Sequence, residues 1–171
     1  DCAEVFLESF CAYNQEYGKT IAQKKEKTAV HSVHVLTTQF EPQLYSLNER
    51  AKADSFKILD MAMSSAEQFG AKYYTFHGVA RLKRTPITIN FERVAKYTQK
   101  IIDLCSKYGV SLAYENVHWG YYNYIGFFNE VKKRTVGLKA TLDVKQARQS
   151  GIDYKDYIDE QVEKYNRQHS E

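Results

Sequence analysis

The segment Leu112-Ala-Tyr-Glu-Asn-Val-His-Trp-Gly120, LAYENVHWG, decides how this chain reads. An apolar run of Leu112, Ala113 and Tyr114 stops abruptly in Glu115, Asn116, His118 and Trp119. A carboxylate closing a buried strand is costly unless a partner meets it. A bound cation or polyol is such a partner, so the segment reads as a strand that carries chemistry at its C-terminal end.

The same design repeats on both sides. Upstream, Asn90 caps a helix that buries Val94, Ile101, Ile102 and Cys105 and stops at Gly109. Before it, Lys72-Tyr-Tyr-Thr-Phe-His77 reads as a strand ending in His77-Gly78, followed by a loop with Pro86. The preceding helix runs from about Glu49 to Phe69, with Phe56, Leu59, Met63 and Ala66 on one face and Gly70 as its stop. Thr28 to Leu36 is a β-branched strand containing His34, and a long polar loop with Pro42 follows it. Ala3 to Leu7 is a first short strand containing Glu4. The polar text Ala12 to Tyr17 reads as a helix or a long loop running into Gly18. Downstream come a short helix near Phe127 to Lys133 and a strand Leu138 to Leu142 that delivers Asp143. Helical text around Ala147 follows, then a last helix capped by Asp153 and reaching about Tyr165.

Strands alternating with helices at least four times predict parallel βαβ units in one α/β domain spanning residues 1–171. Two architectures fit, a doubly wound sheet and a (β/α) barrel. No GxGxxG follows any strand, which argues against a dinucleotide-binding sheet. In a barrel the C-terminal strand ends converge on one mouth. His34, His77, Glu115 and Asp143, from four successive strands, would meet there. Singly each is weak evidence: a strand histidine is more often a structural group, and an aspartate before a helix is more often an N-cap. Together they form a chemistry. Carboxylates and imidazoles suit Mn²⁺, Mg²⁺, Zn²⁺ or Co²⁺. A divalent ion on a ketose oxygen acidifies the adjacent C–H and stabilises the enediolate, and a carboxylate moves the proton. Glu115 is placed to hold the ion and to act as base.

Composition bounds the alternatives. The 171 residues suffice for one sizeable core, and a net charge of +3 is too small to imply a nucleic-acid partner. The densest basic run, Lys24-Lys25-Glu26-Lys27, is broken by an acid and reads as solvated surface. Cys2, Cys11 and Cys105 match no zinc spacing and read as reduced thiols of a cytoplasmic protein. No apolar run approaches the ~18 residues of a membrane span. The 14 tyrosines, as in Gly120-Tyr-Tyr-Asn-Tyr124, suit either the rim of a polar-ligand pocket or loop packing.

The segments CAEVFLES, YYTFHG, LAYENV and LKATLDVKQA resemble successive strands of the xylose isomerase-like TIM barrels, in order and over nearly the whole chain. That superfamily includes sugar-phosphate isomerases and epimerases, ketose 3-epimerases, inosose dehydratases and an endonuclease. The resemblance implies a partial (β/α)8 barrel, about strands two to six, acting as a metal-dependent sugar or sugar-phosphate isomerase or epimerase in carbohydrate metabolism. By the same resemblance Glu115 and Asp143 are the first two metal ligands. His34 and His77 line the pocket near positions that bind zinc in the endonuclease, and Asn116, His118 and Trp119 shape the substrate side. Glu4 binds substrate or holds the surrounding shell. Gln146 stands on the substrate side where family members often carry a histidine used for a third zinc in the endonuclease, which argues against DNA repair. The family barrel runs to roughly 250 residues, and its last ligands, a histidine and a glutamate, have no counterpart after Asp143; His169 lies in a polar tail. A first strand is expected before Asp1. Arg81, Lys83 and Arg84 follow His77-Gly78 and are candidates for a phosphate, against a solvated loop. A cyclitol or keto-sugar dehydratase is the alternative on the same fold. A non-catalytic fragment or sugar-binding module is the alternative outside catalysis, and exposed barrel edges would favour self-association into a homo-oligomer.

Overall fold

The computed structural model describes residues 1–36, 40–81 and 88–168, with side chains through residue 161. Five strands, β1 (Cys2–Leu7), β2 (Ala29–Val35), β3 (Tyr73–Phe76), β4 (Ser111–Glu115) and β5 (Lys139–Thr141), form one parallel sheet in chain order. The helices between them are α1 (Gln15–Lys24), α2 (Glu49–Gln68), α3 (Phe91–Ser106) and α4 (Phe127–Lys132), and α5 (Val144–Gln149) and α6 (Tyr154–Gln168) follow β5. A parallel sheet whose strands follow one another without reversal of order is the barrel alternative of the two that the βα alternation allowed. None of the described helices is long and apolar enough to cross a membrane.

Alternation along each strand separates two faces. Leu7, Val33, Val35, Tyr74, Phe76, Leu112 and Tyr114 are buried and share one core with Leu59, Met63 and Ala66 of α2 and Ile101, Ile102 and Cys105 of α3. The other face carries Glu4, Phe6, Ser32, His34, Thr75, Ala113 and Thr141, aligned by the strand register. On that face the side chains are small or polar, apart from Phe6, which is 47% exposed. Five tyrosines (13, 74, 114, 122 and 157) are completely buried, so many of the tyrosines build the core and not a rim. Tyr114 packs edge to face on Tyr122 and Phe127, Tyr157 packs edge to face on Tyr122, and Tyr122 stacks on Phe127.

Capping chemistry sets the helix starts. Asn14, Asn48, Asn90 and Asp143 each accept a main-chain N–H of the first turn. The segment ending at Gly18 is a correction to the sequence reading. Helix α1 does not stop at Gly18 but continues to Lys24. The glycine is there because α1 and α2 nearly touch: a Cβ at residue 18 would lie 2.3 Å from the Ser65 carbonyl oxygen and 2.9 Å from the Gln68 Cβ. Gly18→Ala is therefore expected to destabilise the fold by about 1–2 kcal/mol, because forced separation of the helices outweighs the ~1 kcal/mol helical preference of alanine. A lower urea midpoint at unchanged slope is the measurement.

Part of the polar stretch after β2 has regular structure. Residues Glu41–Tyr45 form a 3-10 turn, and Phe40, Leu44 and Tyr45 anchor it in the core. The Tyr45 and Thr98 hydroxyls lie 2.9 Å apart and tie the turn to α3. The turn carries Glu41, whose side chain is wholly buried.

Candidate active site

The C-terminal ends of β2, β3 and β4 bring three groups together. Glu115 closes β4 and is nearly buried, at 9% exposure. His77 follows β3, and its Nε2 lies 2.9 Å from Glu115 Oε2. On the other side of the ring, Nδ1 lies 3.3 Å from Glu41 Oε2, and the same oxygen accepts the His77 main-chain N–H at 3.1 Å. Tyr74 donates its hydroxyl to the second oxygen of Glu41. The result is a buried carboxylate–imidazole–carboxylate chain across two strand ends.

Rings hold the imidazole in place. His34 lies against His77 with centroids 4.7 Å apart, and Phe6 lies against His34 at 4.9 Å. Trp119 stacks on His77 at 5.5 Å and 29°. Trp119 is held there because the loops after β3 and β4 zip together. Arg81 N–H donates to the Trp119 carbonyl at 2.7 Å, Tyr121 N–H donates to Val79, and Ala80 and Gly120 form an isolated bridge. Gly78 permits the turn out of β3: its φ is +73°, and any Cβ there would meet the Tyr114 hydroxyl.

The two histidines divide the charge. Burial alone would lower the His77 pKa, but its hydrogen bonds to Glu115 and Glu41, with their charges, outweigh that and push it up to about 9. His34 is held below its ordinary value, first by burial and then by the neighbouring His77 charge. At neutral pH His77 is the cation of the pair and His34 is neutral.

The remaining sequence-predicted residues fall into three places. Asn116, 1% exposed, clamps the end of β5: its Nδ2 donates to the Asp143 carbonyl at 2.9 Å, and its Oδ1 accepts the Asp143 N–H at 2.7 Å. Asp143 caps α5 through Oδ1, which accepts the Gln146 N–H at 2.8 Å. His118 and Gln146 meet each other on the exposed rim, with His118 Nδ1 2.6 Å from Gln146 Oε1. Glu4 is exposed nearer the N-terminal end of the same sheet face, where one carboxylate oxygen accepts from the Ser32 and Thr75 hydroxyls at 2.5 and 2.9 Å. Lys83, Arg84 and His169 lie outside the described residues; Arg81 is exposed beside Trp119. Glu41 is the residue that sequence reading missed. Its one local signal is an acid set among Phe40, Leu44 and Tyr45, an apolar spacing that marks a buried turn.

Among the described residues no group of three or more His, Cys, Asp or Glu side chains gathers as a metal-ligand set. Glu115 and Asp143 stand at neighbouring strand ends, tied together by Asn116, and offer hard oxygen donors of the kind Mg²⁺ and Mn²⁺ take. Their donor chemistry suits such an ion, and among the described residues the set stays incomplete, with Asp143 Oδ1 also accepting the Gln146 N–H.

Solved structures share the fold. A D-tagatose 3-epimerase-like protein superposes with a TM-score of 0.75 at 15% identity, over 94% of this chain and 62% of that one. The IOLI protein with a binding zinc atom gives 0.69 at 15% identity, over 91% and 57%. The probable 3-DHS dehydratase AsbF from Bacillus anthracis gives 0.69 at 15% identity, over 93% and 59%. The chain thus spans about six-tenths of the length of these proteins, and at such identities the likeness is one of fold. No curated protein matches the sequence. Residues 1–164 match the family described as xylose isomerase-like TIM barrel, and the chain belongs to that family.

Proposed function

We propose that the protein is a sugar or sugar-phosphate isomerase or epimerase that moves a proton through an enediolate, with Glu115 as the base. The observation that carries this reading is the state of Glu115. It is a nearly buried carboxylate at a strand end, with Oε2 held by His77 at 2.9 Å. A carboxylate fixed in this way is oriented for transfer without having to reorganise.

Glu115 and Asp143 would hold a divalent ion together with ligands from outside the described residues; when bound, the ion supplies Lewis acidity at the substrate carbonyl oxygen. The chain's own residues do the rest. Glu115 takes the proton from the carbon next to the carbonyl. His77 keeps the Glu115 carboxylate in one orientation. Trp119 excludes water from one side of the His77 ring. Asn116 fixes where Asp143 stands relative to Glu115. His34, His118, Gln146 and Glu4 complete the polar face offered to a polyol.

Family membership supports an enzyme of this kind, and the epimerase-like neighbour supports sugar as the substrate class. A second reading, a dehydratase on keto sugars or cyclitols, is favoured by the superposition on a probable dehydratase and shares the same first proton transfer. Full-length protein with added Mn²⁺, incubated with a panel of ketoses and cyclitols, separates them. An epimer or aldose appearing in the NMR spectrum supports the isomerase. Loss of water selects the dehydratase. An unchanged panel from protein that binds no metal rejects both.

A further inference from the structure

Glu41 takes no part in the proposed proton transfer, yet it is more deeply buried than Glu115. A buried carboxylate is tolerated only with a full set of donors. Among the described residues, three donors reach Glu41 from one segment: the Tyr74 hydroxyl, the His77 main-chain N–H and the His77 ring at Nδ1. The 3-10 turn that carries it is fastened separately, through Phe40, Leu44 and Tyr45. Glu41 is therefore a fixed acceptor that grips the end of β3 by both main chain and side chain.

That grip has a direction. An imidazole with Nδ1 bound to a fixed carboxylate must present Nε2 on its far side, and the far side here is Glu115 Oε2. We propose that Glu41 is the positioning residue of this site: through His77 it fixes which oxygen of Glu115 is occupied and leaves Oε1 to face the substrate. Partners that orient a ring in this way typically change activity by about 10–100-fold when removed. The inference rests on the reading of Glu115 as base, but its first link, from Glu41 to His77, is testable without any substrate.

The test uses full-length protein in two arms. In the first, ¹⁵N–¹H correlation of the histidine side chains in the wild type is expected to show a slowly exchanging proton on His77 Nδ1, and Glu41→Gln is expected to shift both ring nitrogens. A wild-type spectrum without that Nδ1 proton overturns the proposal whether or not the variant folds. In the second arm, kcat and KM for substrate proton exchange are measured for Glu41→Gln, His77→Gln and the double variant. Glu41→Gln is expected to lower kcat by about 10–100-fold with KM within about threefold, and to cost nothing further once His77 is glutamine. Equal losses with and without His77 would show that Glu41 merely braces the fold, and would overturn the proposal. Wild-type protein that exchanges no proton while the first arm succeeds would reject Glu115 as base and leave the Glu41–His77 link standing.

Discussion

Glu115→Gln in the full-length protein is expected to slow substrate proton exchange by about 10²–10⁴-fold, the range that a positioned general base supplies. The substitution is nearly isosteric. Its amide oxygen can still accept the hydrogen that His77 Nε2 now directs at Oε2, 2.9 Å away, so the ring and the stack behind it have no reason to move. Basicity and one anionic oxygen donor are lost. Because the same carboxylate is proposed as a metal ligand, apparent Mn²⁺ affinity should fall with it. Asp143→Asn should weaken metal binding while retaining more of the exchange rate at saturating Mn²⁺, since Asp143 carries no proton in the scheme. Rates for Glu115→Gln within about threefold of wild type would remove Glu115 from the chemistry.

The second large effect is on stability. His77 is 6% exposed and carries a pKa pushed up to about 9, against ~6.5 in an unfolded chain. A group whose folded pKa is raised gives its full stabilisation below the unfolded value and loses it as pH rises through the folded value. At ~1.4 kcal/mol per pH unit the difference is of order 3 kcal/mol. Metal-free protein should therefore lose stability between about pH 6.5 and pH 9, read as a falling urea midpoint. His77→Gln should flatten that dependence and be less stable at pH 6. A variant that keeps the wild-type slope would mean that another group titrates in this window.

Much of the fold can be read from residue order because each strand repeats one physical pattern. Val33, Val35, Tyr74, Phe76, Leu112 and Tyr114 face the helices, and polar or small residues alternate with them. The caps Asn90 and Asp143 are equally local signals, and both hold their helix starts. Helix α1 was less legible, because Gly18 answers to the Ser65 carbonyl across a helix pair and not to its own neighbours.

The site divides in the same way. Glu115, His77 and His34 are visible because they end or interrupt apolar strands. Glu41 is invisible because its partners, Tyr74 and His77, lie 33 and 36 residues away and only the fold unites them. The Asn116 clamp on Asp143 and the His118–Gln146 pair join positions 27 and 28 residues apart, so their bonding partners could not be assigned from sequence spacing. The residue types at the mouth were legible, and their division into groups that bond the chain and groups that face a ligand was not.

Deuterium wash-in reports whether Glu115 moves a substrate proton. Full-length protein with Mn²⁺ and a ketose in D₂O should replace hydrogen by deuterium at the carbon adjacent to the carbonyl, without loss of water, and Glu115→Gln should nearly abolish the signal. Epimer or isomer formation by the wild type with no deuterium incorporated, or incorporation that proceeds undiminished in Glu115→Gln, would contradict that role.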